Sequence, residues 1–179
     1  MPFAMTHLII SYNLIKILPD MISDLPQFYL GSIAPDAVHN RANFILKFMK
    51  QSQLFVGEAK WGFITNNDEC INNVIKFLKD NSTSDNYDFI LSYCTHILTD
   101  VYNNIQIWTS FRLKHPDELG KEYGIIHHRE NNKIDIEFAL TYGHRDELWR
   151  YLSESRSVDI PDIIYADEIE KQKDNILND

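Results

Sequence analysis

Apolar residues recur three and four positions apart through most of this chain, the spacing of helices that each bury one face. Leu8, Ile9, Tyr12, Ile15 and Leu18 form such a stripe. Thr6 is placed to cap a helix from about His7 to Leu18, and Pro19 ends it. Ile71, Val74, Ile75 and Leu78 predict a second helix over Asp68 to Asn81 behind a cap at Asn67. The longest apolar stretch, Asn86 to Trp108, reads as one helix that ends near Phe111 to Pro116. Leu148, Trp149 and Leu152 mark a short helix in His144 to Ser153. Tyr165 to Leu177 is a charged terminal helix docked by Ile169 and Ile176.

The segments between are less regular. Leu25 to Asn40 is punctuated by Pro26, Gly31 and Pro35, which predicts a short helix followed by an irregular but apolar segment. A helix is expected around Phe44 to Met49, and Ser52 to Gly62 reads as loop. Glu118 to Leu140 is weakened by Gly120 and Gly124, with helical spacing from Ile125 onward. The expectation is an all-α fold, a single domain over residues 1–179, with about six or seven helices packed on one another. With 44% hydrophobic residues, including 10 Phe and 9 Tyr, the chain has ample material for a core.

Charge and cysteine content narrow the function classes. A net charge of −9 disfavours binding to a nucleic-acid backbone, which calls for a basic footprint. Cys70 and Cys94 are the only cysteines, too far apart for a thiolate zinc motif, and Cys94 reads as a small core residue. The N-terminus lacks the basic leader of a secretory signal, and no apolar run has the length of a membrane span. The expected setting is soluble and cytoplasmic.

The chemistry concentrates in the long apolar helix, where His96 and Asp100 stand four residues apart and therefore on one face. A buried imidazole and carboxylate need a hydrogen-bond network or a metal ion. His7 falls in the first turn of its helix, where the dipole disfavours the imidazolium; it reads either as a surface histidine or as a neutral ligand. Asp36 follows Pro35, a combination that commonly forms a turn, but its neighbours are apolar. His39 would share its side if a helix begins there, and His128 and Asp135 share a face farther along. His115 and His144 read as surface residues, and Tyr93, Tyr102 and Trp108 as core.

Three stretches together, MTHLIISY, FYLGSIAPDAVH and YCTHILTDVYNN, resemble the pattern of the zinc-dependent phospholipase C family and its related nucleases. The likeness is to short, leaderless bacterial members usually labelled hydrolases, and it covers nearly the whole chain. It implies an all-α fold around a cluster of up to three zinc ions and hydrolysis of a phosphoester or phosphodiester by metal-activated water. On that likeness His7, Asp36, His96 and Asp100 are metal ligands, Asp36 is also a catalytic base, and a small phosphoester is the substrate. One or two zinc ions are expected, because the pattern is trimmed. Gln53 stands where the family has a histidine after serine, and Gln106 where it has a histidine ten residues beyond the first of the long helix. Met1-Pro2 replaces an N-terminal tryptophan ligand. No clean HxxxE pair is present; the nearest candidates are His127 or His128 with Asn131, Asn132 or Asp135. His39, His128 and Asp135 are the residues available to complete a second site. A non-catalytic binding or regulatory descendant of the same fold is the alternative, and a purely polar buried network is the third reading.

Overall fold

The computed structural model describes residues 3–55, 67–114 and 121–178. Its elements in chain order are α1 (Ala4–Ile17), α2 (Leu25–Gly31), a 3-10 helix (Ala34–Asn40), α3 (Leu46–Ser52), α4 (Asn67–Asp80), α5 (Tyr87–Asn103), a π-helical turn (Asn104–Trp108), α6 (Thr109–Lys114), α7 (Lys121–Thr141), α8 (Arg145–Glu154) and α9 (Ala166–Asn178). The all-α expectation holds, with nine α-helices among the described residues in place of six or seven. The terminal part of the expected long helix passes through the π turn into a separate helix, α6, and the helix expected around Phe44–Met49 is α3, shifted toward Ser52. Gly124 does not break α7, which runs as one helix of 21 residues.

Helix α5 is the central element, and α2 makes its most extensive contact with it. Gly31 explains how α2 comes so close. A Cβ built there would lie 2.2 Å from the carbonyl oxygen of Phe89, so only a glycine fits between the two backbones. Phe28, Tyr29, Leu30 and Ile33 on one side, and Phe89, Tyr93 and Ile97 on the other, fill the joint and are all essentially inaccessible. The start of α2 is pinned to the start of α5 by Asp88. Its carboxylate accepts from the Ser23 amide at 2.8 Å, the Ser23 hydroxyl at 2.9 Å and the Asp24 amide at 2.6 Å. Asp24 in turn caps α2 by accepting from the Gln27 amide at 3.2 Å. Helix α4 packs on α5 from another direction, α8 on α2, and α9 on the 3-10 helix.

The contact of α9 with the 3-10 helix is charged. Arg41 donates from Nε to Glu168 Oε1, from Nη2 to Glu168 Oε2 at 2.9 Å, and from Nη2 to the Ile163 carbonyl at 3.0 Å. Its guanidinium also lies over the rings of Phe48 (4.5 Å) and Tyr165 (4.8 Å). A bidentate pair of this kind fixes direction as well as distance, so the segment carrying Asp36 is tied firmly to the C-terminal helix.

Several expectations are corrected. Thr6 is not the cap of α1. The helix starts at Ala4 behind Phe3, and the Thr6 amide donates to Asp135 Oδ1 of α7 at 3.2 Å. A tertiary carboxylate thus meets an amide of the first turn that has no intrahelical acceptor. Tyr102 is 66% exposed and Ile75 is 43% exposed, so neither belongs to the core. Tyr93 does belong to it, with its hydroxyl donating to the Ser52 carbonyl, and Trp108 is half-buried against His127. His144 is exposed, as expected. His115, Gly120, Met1, Pro2 and the part of the Ser52–Gly62 loop beyond Phe55 lie outside the described residues. No helix among the described residues is long and apolar enough to cross a membrane.

Candidate metal centre

Three elements bring ionisable side chains to one point in the core. Helix α1 supplies His7, α5 supplies His96 and Asp100, and the 3-10 helix supplies Asp36. His7 and His96 stack face to face, with ring centroids 3.6 Å apart and planes inclined by 13°. Asp100 lies between them in effect: Oδ1 is 3.6 Å from His7 Nε2, and Oδ2 is 3.6 Å from His96 Nε2. Ligand atoms of His7, His96 and Asp100 all fall within 4.8 Å of one another. Asp36 Oδ1 approaches the same His96 nitrogen at 3.7 Å. His7, His96 and Asp100 are at most 2% exposed, whereas the Asp36 side chain keeps 20% of its surface open.

The orientation of His96 is set from behind. Its Nδ1–H donates to the Ser32 carbonyl at 2.7 Å. A carbonyl can only accept, so the proton sits on Nδ1 in the neutral ring and Nε2 is left as the lone-pair nitrogen facing Asp36 and Asp100. A backbone carbonyl that fixes the tautomer is a common partner of a metal-binding histidine.

Burial pushes the His96 imidazolium toward deprotonation, but the carboxylates of Asp36 and Asp100 outweigh it and hold its pKa up at about 10. Burial also works against ionised Asp36, but His96 foremost, with His7 and His39, outweighs it and brings Asp36 down to about 2. Asp100 moves the other way. Its complete burial raises its pKa, against the opposing pull of His96.

The donor set fits a metal ion. His96 Nε2 and both oxygens of Asp100 are buried without a hydrogen-bond partner among the described residues. Leaving a carboxylate in the core without donors is costly. Imidazole nitrogen and carboxylate oxygen are the ligands that zinc and similar ions accept in the absence of thiolates.

The remaining expected ligands do not converge here. His39 is exposed, with its ring 4.8 Å from that of Phe44. His128 is exposed and edge-on to Phe3 at 4.8 Å, and Asp135 is engaged with the Thr6 amide. Burial raises the pKa of Asp135, opposed by the backbone amides of Met5 and Thr6. His127 accepts at Nδ1 from Asn131 Nδ2 at 2.8 Å. The face shared by His128 and Asp135 is therefore used to dock α7 on the start of α1. Gln106 is exposed and does not look into the site.

Two features escaped the pattern reading. Gln53 is fully buried and donates from Nε2 to Asp36 Oδ1 at 3.0 Å. Ser92, His96, Asp100 and Asn104 repeat every four residues, and all four are buried, with Ser11 buried one turn beyond His7. The four-residue polar stripe was visible in the letters of the long helix; the contact of Gln53 with Asp36, which joins separate segments, was not. No family model, no curated protein and no solved structure matches this chain.

Proposed function

We propose that this protein is a metal-dependent hydrolase whose centre is formed by His7, His96, Asp100 and Asp36, with a small phosphoester or phosphodiester as substrate. The observation that carries the metal reading is the convergence of two imidazoles and a carboxylate in the core, with His96 Nε2 and both Asp100 oxygens lacking hydrogen-bond partners among the described residues. Zinc is the ion that these donors suit best. When bound, it would supply a Lewis acid that activates water and offsets charge on a phosphoryl oxygen. The choice of a phosphoester rests on the likeness of the three sequence stretches to the zinc-dependent phospholipase C family.

The protein's own residues divide the work by exposure. Asp100 and His96 hold from the dry side, with Ser32 fixing the imidazole. Asp36 is the partly open member, so water and substrate would enter past it. A carboxylate held near 2 is a weak proton acceptor, which suits Asp36 to ligating and orienting more than to abstracting a proton.

A second reading draws on the same pair. The raised His96 and lowered Asp36 describe an imidazolium–carboxylate pair that can hold α5 against the 3-10 helix without metal, as a polar network of a non-catalytic protein.

Elemental analysis of protein purified without added metal, followed by zinc titration, separates the two. The metal reading expects at least one tight equivalent, with affinity reduced roughly 100-fold or more in Asp100→Asn, beyond the usual effect of losing an outer-shell partner. Less than one tight equivalent after reconstitution with zinc would sink it. A panel of phosphodiesters and phosphomonoesters then tests turnover, which Asp100→Asn must abolish if this is the active centre.

A further inference from the structure

We propose that Asn104 binds an oxygen of the anionic substrate through its side-chain N–H, beside the ion held by His7, His96 and Asp100. The proposal rests on the metal reading above and names the group that receives the substrate there. Asn104 follows Asp100 by four residues, so it stands on the same helical face, one turn farther along. It is 6% exposed, and its Nδ2 is buried without a hydrogen-bond partner among the described residues. Both Asp100 oxygens are in the same condition. An amide N–H and a carboxylate on successive turns of one helix can satisfy each other directly, but these two do not bond. Leaving both unmet in the core would be costly, so each answers to a group brought in by a ligand. For the Asp100 oxygens that group is a cation. For an N–H it has to be an acceptor, and the acceptor that belongs next to a divalent cation is an anion.

The backbone holds Asn104 in register. Its amide donates to the carbonyls of Asp100 and Val101, and its carbonyl accepts from the Thr109 amide across the π turn that begins at Asn104. Single turns of this kind are rare in helices and frequently mark functional sites. Just beyond, Gln106 and Ile107 are exposed, so Asn104 is the last buried residue before this helix reaches the surface. The type of donor fits the place as well. A lysine or arginine there would repel the ion, whereas a neutral amide donates to an anion without opposing the ion's charge.

Calorimetric titration of the zinc-loaded full chain with inorganic phosphate tests this. The wild type should bind phosphate. Asn104→Leu, close in size but without a donor, should bind it roughly tenfold to 100-fold more weakly, the worth of one hydrogen bond to a charged group. Its zinc affinity, measured separately, should be unchanged. Circular dichroism checks that the variant keeps the wild-type helix content, and Asn104→Ala takes over with the same expectations if the leucine variant does not fold. A folded variant that binds phosphate as tightly as the wild type would overturn the proposal, since Asn104 would then not face the anion. A matching loss of zinc affinity would overturn it too, because Asn104 would then serve the ion. Zinc-loaded wild type that takes up no phosphate would overturn the proposal and leave the metal reading intact. No tight zinc in the wild type would overturn both together.

Discussion

The two ring nitrogens of His96 face different partners, and this decides how the protein should respond to pH. Nδ1 is committed to the Ser32 carbonyl, and Nε2 faces the carboxylates. With its pKa held at about 10 by Asp36 and Asp100 against the effect of burial, the metal-free ring is an imidazolium at neutral pH. A metal must displace the Nε2 proton to bind there. Zinc binding at pH 7 is therefore expected to release about one proton from His96, where an ordinary imidazole would release roughly a quarter. Protons compete with the metal, so apparent affinity rises with pH up to about 10, by about tenfold per unit where this one proton dominates. Calorimetric titration in buffers of different ionisation enthalpy measures the release directly. At this scale the sequence showed that His96 and Asp100 share one face of an apolar helix. It did not show which nitrogen is free, because Ser32 is 64 residues away.

At the scale of elements, the centre depends on how closely α2 approaches α5. Gly31 is adjacent to Ser32, and a methyl group at Gly31 would meet the Phe89 carbonyl oxygen at 2.2 Å. Gly31→Ala should push the helices apart and cost about 1–3 kcal/mol in a urea denaturation. Because the shift moves the Ser32 carbonyl off His96, zinc affinity should fall too, by about tenfold, the lower end for loss of an outer-shell partner. A variant that loses stability with unchanged zinc affinity would show that the two are not linked through Ser32. The helices themselves were largely legible from the periodicity of apolar residues. Their ends were less so. Thr6 was a sound local cap, but Asp135 of α7 supplies the acceptor to its amide, and no local rule anticipates a partner 129 residues away. The π turn after Asn103 was likewise hidden, since Asn104–Trp108 has ordinary helical composition.

For the whole molecule, the centre joins the N-terminal helix, the 3-10 segment and the middle of the chain, so an ion there cross-links distant parts of the fold. An ion that binds only the folded chain stabilises it by about 2.7 kcal/mol when free at 100 times its Kd. For a chain of this size that corresponds to about 5–10 °C in Tm. Scanning calorimetry with and without zinc should show this rise, and a chelator should reverse it. Asp100→Asn should show little of it. The net charge of −9 is consistent with such a site, as one divalent ion reduces the excess of negative charge.

By itself the sequence determined the all-α class, the rough position of most helices and the pairing of His96 with Asp100 on one helix face, because each depends on short-range periodicity; His7 and Asp36 entered as candidates through the resemblance of their segments. Tertiary structure decided which of the remaining candidates join them. His39, His128 and Asp135 have the right chemistry, but their helices present them to Phe44, Phe3 and Thr6. Gln53 was legible only as a departure from a pattern. The fold turns it into the donor that faces Asp36, since helix α3 ends where the 3-10 helix passes. Local rules could propose ligands; only the packing of α1, α5 and the 3-10 helix could bring His7, His96, Asp100 and Asp36 together.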